Sequence, residues 1–371
     1  MLETYHSARK VYEALNQPDN ITYQLFNTGH GYWPEMQIAM LDWFNTHLKR
    51  NSLAAKIDLD QVKLLPIEKL ATYPKGQRDA KVVTTADYCR NKGTELRQTM
   101  LSNKHINPDE KKSRLKEILS LNDKNEYREI HHFSNTGEWS RIIIETEEGQ
   151  LIPLLYTPPA GKETNYTIIS HPFGKDSIPQ SLIQQEKQKG NGLILVDLWG
   201  TGESRSNEAI RIDGALPPFH TLARSALWLG QTVTGNWVNE LTLIHKVAVT
   251  QLNAQSVKLI GFKETAVASL LFTTLYNHPV QAELYDAPIS YMFDDRENID
   301  HFNMAIHIPG ILEWGDISLA AAISNADLTF IRPVTISGRQ SGQTSRTQFE
   351  KECTTLKKQT QSTGKTTFVW N

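Results

Sequence analysis

The sequence predicts an α/β protein whose mostly parallel sheet is covered by helices on both faces. Short apolar runs, typical of buried strands, alternate with longer segments whose apolar residues recur at helical spacing. The clearest strands are Tyr166–Ser170, Gly192–Asp197 and Ser256–Gly261, and the clearest helix is Trp237–Leu252. Strands that are apolar on both sides need cover on both faces, so we expect helices above and below the sheet.

The remaining elements continue this alternation. A turn at Glu147–Gly149 separates two apolar runs and predicts a hairpin. The other predicted strands are Trp139–Glu145, Leu151–Tyr156, Gln281–Tyr285, Val334–Ser337 and Thr366–Trp370, and the other predicted helices are Ala266–Tyr276 and Thr347–Gln359.

Three sections of different composition predict the domain organisation. Residues 1–50 form a first section with its own helices. Residues 51–125 are polar and lysine-rich, which indicates a partly helical connecting region with a helix start at Asn107. Residues 126–371 contain the alternating strands and helices and predict the main domain.

The first section has a pattern of its own. It predicts a helix over Tyr5–Leu15, a strand over Ile21–Phe26 and an amphipathic helix over Pro34–Leu48. The Gly29-His30-Gly31 loop lies between that strand and the second helix. The opening residues lack the basic start and apolar stretch of a secretory signal, so we expect no leader in this chain.

Charge and composition argue against several classes of partner. The 39 basic residues are scattered among 41 acidic ones, and the net charge of −2 gives no electrostatic basis for binding nucleic acid or an anionic membrane. No apolar run reaches the roughly 18 residues that a membrane helix requires. The two cysteines, Cys89 and Cys353, lie far apart and fit no metal-ligand spacing.

No motif predicts a cofactor or a metal. Gly200-Thr201-Gly202 lacks the third glycine of a dinucleotide loop and the Lys-Ser/Thr of a phosphate loop. His131-His132 has no accompanying ligand motif, and the acidic residues of 294–300 lack the spacing of a calcium loop. We therefore expect neither a cofactor nor a metal site.

The most informative segment is the turn from the strand Ser256–Gly261 into the helix that follows. A buried strand that turns sharply into an Ala-rich helix is the context of a nucleophile elbow, G-x-S-x-G. Gly261 occupies the first glycine position, whereas Lys263 replaces the serine and Thr265 replaces the second glycine. A lysine ammonium cannot replace a hydroxyl that a histidine activates for acyl transfer. The turn predicts a degenerate elbow.

Two loops before the elbow are typical of the same class of enzyme. Asp197, Gly200 and Gly202 belong to a D-x-x-G-x-G-x-S turn that shapes the chain beside an active-site cleft. His171 and Gly174 belong to a His-Pro-x-Gly turn after the strand Tyr166–Ser170. In that class of enzyme, the loop at this position supplies a backbone N–H to the oxyanion. We expect all five residues to border the cleft.

Together these motifs, in their order, resemble bacterial acetyl-xylan-esterase-like members of the α/β-hydrolase superfamily, from about residue 55 to 371. The segments that carry the resemblance are LIPLLYTPP from 151, LILVDLWGTGESR from 193, LGQTVTGNWVNEL from 229, LIGFKETAVASLL from 259 and IPGILEWGDISLAAAI from 308. The resemblance implies an α/β-hydrolase fold and serine-dependent ester hydrolysis in catalytic members.

A catalytic member would also need an acid after a late strand and a histidine after the last one. The stretch 338–342 contains no carboxylate, and no histidine follows Thr366–Trp370. With serine, acid and histidine all missing, we expect a domain without triad chemistry. Two alternatives remain open: amine chemistry at Lys263, and weak esterase activity from a serine outside the elbow.

The first section resembles the C-terminal end of the same fold. His30 lies between glycines and precedes an amphipathic helix. By this resemblance, it matches the histidine that serves as general base in the fold. The resemblance implies that residues 1–50 are the tail of an upstream hydrolase domain and that residues 126–371 are a second, degenerate copy. We expect the first section to pack against that upstream domain.

The functional expectation follows from this arrangement. The intact parent would deacetylate a plant polysaccharide such as xylan, as a secreted or periplasmic enzyme, while this chain alone would be inactive or nearly so. The alternative is a non-catalytic module that binds glycan or supports a catalytic hydrolase domain.

Overall fold

The computed structural model describes residues 2–49, 63–73, 78–79, 81–122, 124–161, 163–206, 215–276, 280–294 and 300–370. The chain forms two compact units, residues 1–82 and 83–371. Most of the predicted connecting region before residue 81 lies outside the described residues. No helix in the described ranges is long and apolar enough to cross a membrane.

The described residues of the first unit form three α-helices: α1 (Leu2–Ala14), α2 (Pro34–Phe44), which continues as a π-helix over Asn45–Lys49, and α3 (Ile67–Leu70). The two predicted helices are confirmed. The predicted strand at 21–26 is wrong, because within the described part of the chain these residues form no ladder with another strand. None of the described residues of this unit is buried.

The second unit begins with two helices, α4 (Thr85–Ser102) and α5 (Pro108–Leu119). Asn107 caps α5 as the sequence predicts, because its side chain accepts from the amides of Asp109 and Glu110. Leu115 and Leu119 of this helix are fully buried in the main core. Both helices therefore belong to the fold of the second unit.

A nine-stranded sheet forms the centre of this unit. Its strands are β1 (Tyr127–Thr136), β2 (Trp139–Thr146), β3 (Leu151–Thr157), β4 (Asn165–Ser170), β5 (Gly192–Val196), β6 (Ser256–Phe262), β7 (Val280–Tyr285), β8 (Asp327–Ile331) and β9 (Thr366–Val369). They are ordered β1-β2-β3-β5-β4-β6-β7-β8-β9. The pairs β1–β2, β2–β3 and β3–β5 are antiparallel and the others parallel, so the predicted parallel sheet and hairpin are confirmed.

The strand after which a catalytic acid would be expected is β8. The predicted strand at 334–337 is wrong. In β8 the side chains of Leu328 and Phe330 point into the core, as a strand between two neighbours requires. Val334 forms only isolated bridges. The residues after it turn back, because the Gly338 amide donates to the Thr335 carbonyl with Gly338 at a φ of +80°.

Helices cover both faces of the sheet. The further helices are α6 (Gln180–Gln188), α7 (His220–Trp228), α8 (Val233–Thr250), α9 (Lys263–Leu275), α10 (Ile311–Trp314), α11 (Ile317–Ile323) and α12 (Gln343–Thr360). Helices α8, α9 and α11 pack in the larger core on one face, and α6 packs in a smaller core on the other. This three-layer arrangement fixes the carboxyl edge of the parallel strands, where the candidate site lies.

Candidate functional site

The strand order reverses at β4, which lies between β5 and β6. Loops that leave neighbouring strands at such a reversal diverge, so a crevice opens at the carboxyl ends of the strands. His171 follows β4, Asp197 follows β5 and Lys263 follows β6. The topology thus brings the predicted site residues of the second unit to one edge of the sheet.

Strand β6 turns sharply into α9 at Lys263, whose φ of +48° is left-handed. This conformation costs a non-glycine residue roughly 1 kcal/mol. Gly261 is required, because a Cβ there would lie 2.6 Å from the Thr265 carbonyl oxygen. The Thr265 hydroxyl accepts from the Phe262 amide at 3.0 Å and donates to the Ser170 carbonyl at 2.9 Å. The turn has the geometry of a nucleophile elbow, with Lys263 in the nucleophile position.

The Lys263 side chain contacts His301 and Phe302 of residues His301–Asn303, here called the cap segment. Its Nζ donates to the His301 carbonyl oxygen at 2.8 Å and lies 5.6 Å from the centroid of the Phe302 ring. The His301 ring packs on Gly338, where a Cβ would come within 2.1 Å of Nδ1. The side chain in the nucleophile position therefore holds a neighbouring loop.

Glu264, the next residue, holds the same segment. Its carboxyl is buried, and Oε1 accepts from the Asn303 amide at 2.5 Å, while Oε2 has no hydrogen-bond partner among the described residues. Burial raises the pKa of Glu264 to about 7, an effect that its own amide and that of Asn303 oppose in part. In this fold the amide after the nucleophile stabilises the oxyanion. At Glu264 that amide lies against the residue's own carboxyl, whose ionised form would repel a developing negative charge.

His171 lies beside the elbow as a neutral imidazole. Its ring is 5.1 Å from the Phe262 ring, and Nδ1 accepts from the Phe173 amide at 3.2 Å. Burial, and after it the charge of Lys263, lowers the pKa of His171 to about 4. At pH 7 this histidine is therefore uncharged and a weak base.

The two predicted cleft loops are fastened to each other. A Cβ on Gly174 would lie 2.5 Å from Gly202 Cα, so only glycines allow the loops to approach this closely. The buried Asp197 carboxylate accepts from the amides of Lys175 at 2.6 Å and Glu203 at 2.9 Å, and from Lys175 Nζ. Asp197 is thus a structural carboxylate that joins the loops. Lys175, its partner, was not singled out from the sequence.

Gly200 has a different role in the same loop. Its φ is +77°, and a Cβ would lie 2.5 Å from Leu222 Cδ2 and 2.9 Å from Phe219 Cε1. The glycine therefore lets the loop pack against the start of α7.

No carboxylate occupies the position of a catalytic acid. The stretch 332–342, which follows β8, contains neither Asp nor Glu. Asp286, which follows β7, forms two hydrogen bonds with the Arg332 guanidinium at 3.1 and 3.0 Å. Asp294 accepts from the Ser337 hydroxyl at 2.8 Å. Asp286 and Asp294 are thus both engaged in other pairs.

Sequence reasoning missed His301, Asn303 and Asp286. Asp286 could have been found, because it directly follows a predicted parallel strand whose carboxyl end points to the same edge. His301 and Asn303 lie in a loop without a motif, so only the folded chain shows that they contact the elbow.

His30 lies in the first unit, where its side chain is exposed. The loop around it is stabilised by the Trp33 indole N–H, which donates to the Gly29 carbonyl at 2.9 Å. Its assignment as a general base stays a prediction from resemblance.

One group of potential metal ligands occurs among the described residues, and it lies away from the elbow. Glu129, His131 and Glu145 place ligand atoms within 4.8 Å of one another on β1 and β2. The Glu145 carboxylate already binds His131 Nε2 at 2.7 Å and Arg128 Nη1 at 2.9 Å. These two partners compensate its charge without an ion, so the group gives no reason to expect a metal.

Solved structures share this fold over most of the chain. A Bacteroides fragilis protein assigned as an acetyl xylan esterase superposes with a TM-score of 0.55 at 12% identity, covering 78% of this chain and 83% of its own. A methylesterase superposes with a TM-score of 0.50 at 14% identity, over 76% of this chain and 64% of its own. No protein-family model and no curated protein matches the sequence. The predicted α/β-hydrolase fold is confirmed, and at these identities the similarity is one of fold.

Proposed function

We propose that this chain is an ester-hydrolase-like protein whose own α/β-hydrolase domain performs no triad chemistry. The fold and its esterase neighbours support the likeness to ester hydrolases. The observation that carries the proposal is Lys263, a lysine at a φ of +48° in the nucleophile position. Its ammonium donates to the cap segment and offers no lone pair for attack on an ester carbonyl.

The surroundings of the elbow support the same proposal. Glu264 places a carboxyl beside the amide that would stabilise an oxyanion, and no carboxylate follows β8. His171 is neutral and has no hydroxyl nucleophile at residue 263 to activate. In the described part of this edge, the triad mechanism thus lacks its hydroxyl nucleophile at residue 263 and its acid after β8.

We further propose that the chain derives from a carbohydrate-active ester hydrolase that removes acetyl groups from a polysaccharide such as xylan. In that parent, His30 would serve as general base in an upstream catalytic domain, to which the first unit would belong. The first unit supports this proposal because none of its described residues is buried, so its apolar side chains need a partner.

The test is hydrolysis of p-nitrophenyl acetate by the purified chain and by His30→Ala. We expect both proteins to release nitrophenolate no faster than buffer does. Turnover that His30→Ala abolishes would contradict the proposal, because a nucleophile would then lie within reach of His30.

A second function, glycan binding without catalysis, is favoured by a cleft beside Trp199 that is separate from the elbow.

A further inference from the structure

A cleft of about 450 Å³ lies between β2, β3 and the loop that follows β5. Ile143 and Leu155 contribute to its apolar lining, together with other residues of the two strands. The residues that give it chemical character are Phe133, Arg141, Gln150, Trp199, Glu203 and Ser204. Its volume falls within the roughly 300–1,000 Å³ of small-molecule sites. Lys263 does not line it.

The Trp199 side of the cleft is held in place before any ligand arrives. The Trp199 amide donates to Glu240 Oε2 at 2.8 Å, and its carbonyl accepts from Trp237 Nε1 at 2.9 Å. Glu240 Oε1 accepts from Gln150 Nε2, so one buried carboxyl positions two lining residues. Such preorganisation lowers the conformational entropy that the site itself would lose on binding a ligand.

The lining combines aromatic faces with hydrogen-bonding groups. Trp199 lines the cleft while packing partly against the larger core. Phe133 is half exposed and offers a ring face, whose negative π surface attracts the polarised C–H groups of a sugar ring. Arg141 and Gln150 offer N–H donors, and Glu203 offers carboxylate acceptors, for hydroxyls around that ring.

The charges of the cleft select a neutral ligand. Arg141 brings one positive charge, and the Glu203 carboxylate already accepts from Lys175 Nζ at 2.6 Å. No cluster of cations is present among these lining residues to bind a phosphate or a uronate, and no excess of carboxylates to bind a cation.

We propose that this cleft binds a neutral pyranose unit of an oligosaccharide, with the exposed Phe133 ring against the sugar face. This inference rests on the proposed function, because it gives the glycan-binding alternative a site. It does not depend on the proposed origin from an upstream catalytic domain.

The experiment is isothermal titration calorimetry of the full chain with xylotetraose, cellotetraose and trigalacturonate. The test variant is Phe133→Ala, and Phe293→Ala is its matched control, because both rings are 48% exposed and only Phe133 lines the cleft. We expect the wild type to bind at least one neutral tetrasaccharide more tightly than trigalacturonate. Phe133→Ala should weaken that binding by about tenfold, and Phe293→Ala should leave it unchanged.

A second variant, Arg141→Ala, removes an exposed donor without touching the core and should also weaken binding. Three results would overturn the inference: no binding of either neutral sugar, tighter binding of the anionic one, or binding that survives Phe133→Ala unchanged. Ester turnover would overturn the proposed function but not this site, whereas an inactive chain that binds no sugar would overturn only the site.

Discussion

The buried carboxyl of Glu240 should make the stability of the protein depend strongly on pH. Burial raises its pKa to about 8, against 4.5 for an unburied carboxyl, although the Trp199 amide lowers it in part. Between these values the folded state holds a proton that the unfolded state has lost, so the free energy of unfolding falls as pH rises. At about 1.4 kcal/mol for each pH unit, the interval from 4.5 to about 8 amounts to about 5 kcal/mol.

Urea unfolding of the wild type and Glu240→Gln across pH 5 to 9 measures this effect. The glutamine cannot ionise, so the free energy of unfolding of the variant should rise relative to the wild type by about 3 kcal/mol from pH 5.5 to 7.5. The difference should level off above pH 8. Glu264→Gln is the matched control, because the pKa of Glu264 is about 7 and its difference should level off one pH unit earlier. Parallel curves for wild type and Glu240→Gln would refute the reasoning.

Two further predictions concern the loops at the candidate site. Gly174→Ala should destabilise the fold by at least about 2 kcal/mol more than Gly190→Ala. Both glycines have positive φ, but only Gly174 approaches the Gly202 backbone. Equal shifts of the thermal unfolding midpoint in the two variants would contradict this prediction. Asp197→Asn should cost about 3 kcal/mol, because it leaves a buried ammonium without its main partner. Asp286→Asn, which breaks a more exposed pair, should cost at most about 1 kcal/mol, and chemical denaturation compares the two.

The sequence predicts the sheet well because strand segments such as Ile168–Ser170 and Leu193–Val196 are almost fully buried. A strand that is buried on both faces consists of a nearly continuous run of apolar residues, which can be recognised in the sequence. The elbow was also predictable from the sequence, because Gly261 is required where β6 closely approaches the helix that directly follows it, α9. The prediction of a strand at 21–26 failed because its residues suit a strand but pair with no other segment that the structure describes.

The strand β8 was missed because its three apolar residues, in Leu328–Ile331, are soon followed by the similar stretch Val334–Ile336. Only the turn at Gly338 distinguishes the two. The site itself was less predictable than the fold. Contacts such as Lys263 with His301 and Glu264 with Asn303 join residues that are 38 and 39 positions apart. Such pairs arise from tertiary packing and leave no local pattern in the sequence.

The central claim, that no serine of this chain is activated for acyl transfer, is tested most directly with a fluorophosphonate probe. The probe forms a covalent bond with a serine hydroxyl only when a neighbouring base activates it. Intact-mass spectrometry of the treated chain should show the unmodified mass, while an active serine esterase treated alongside gains the mass of the phosphonyl group. A stoichiometric mass gain on this chain, mapped by digestion to any serine, would contradict the account.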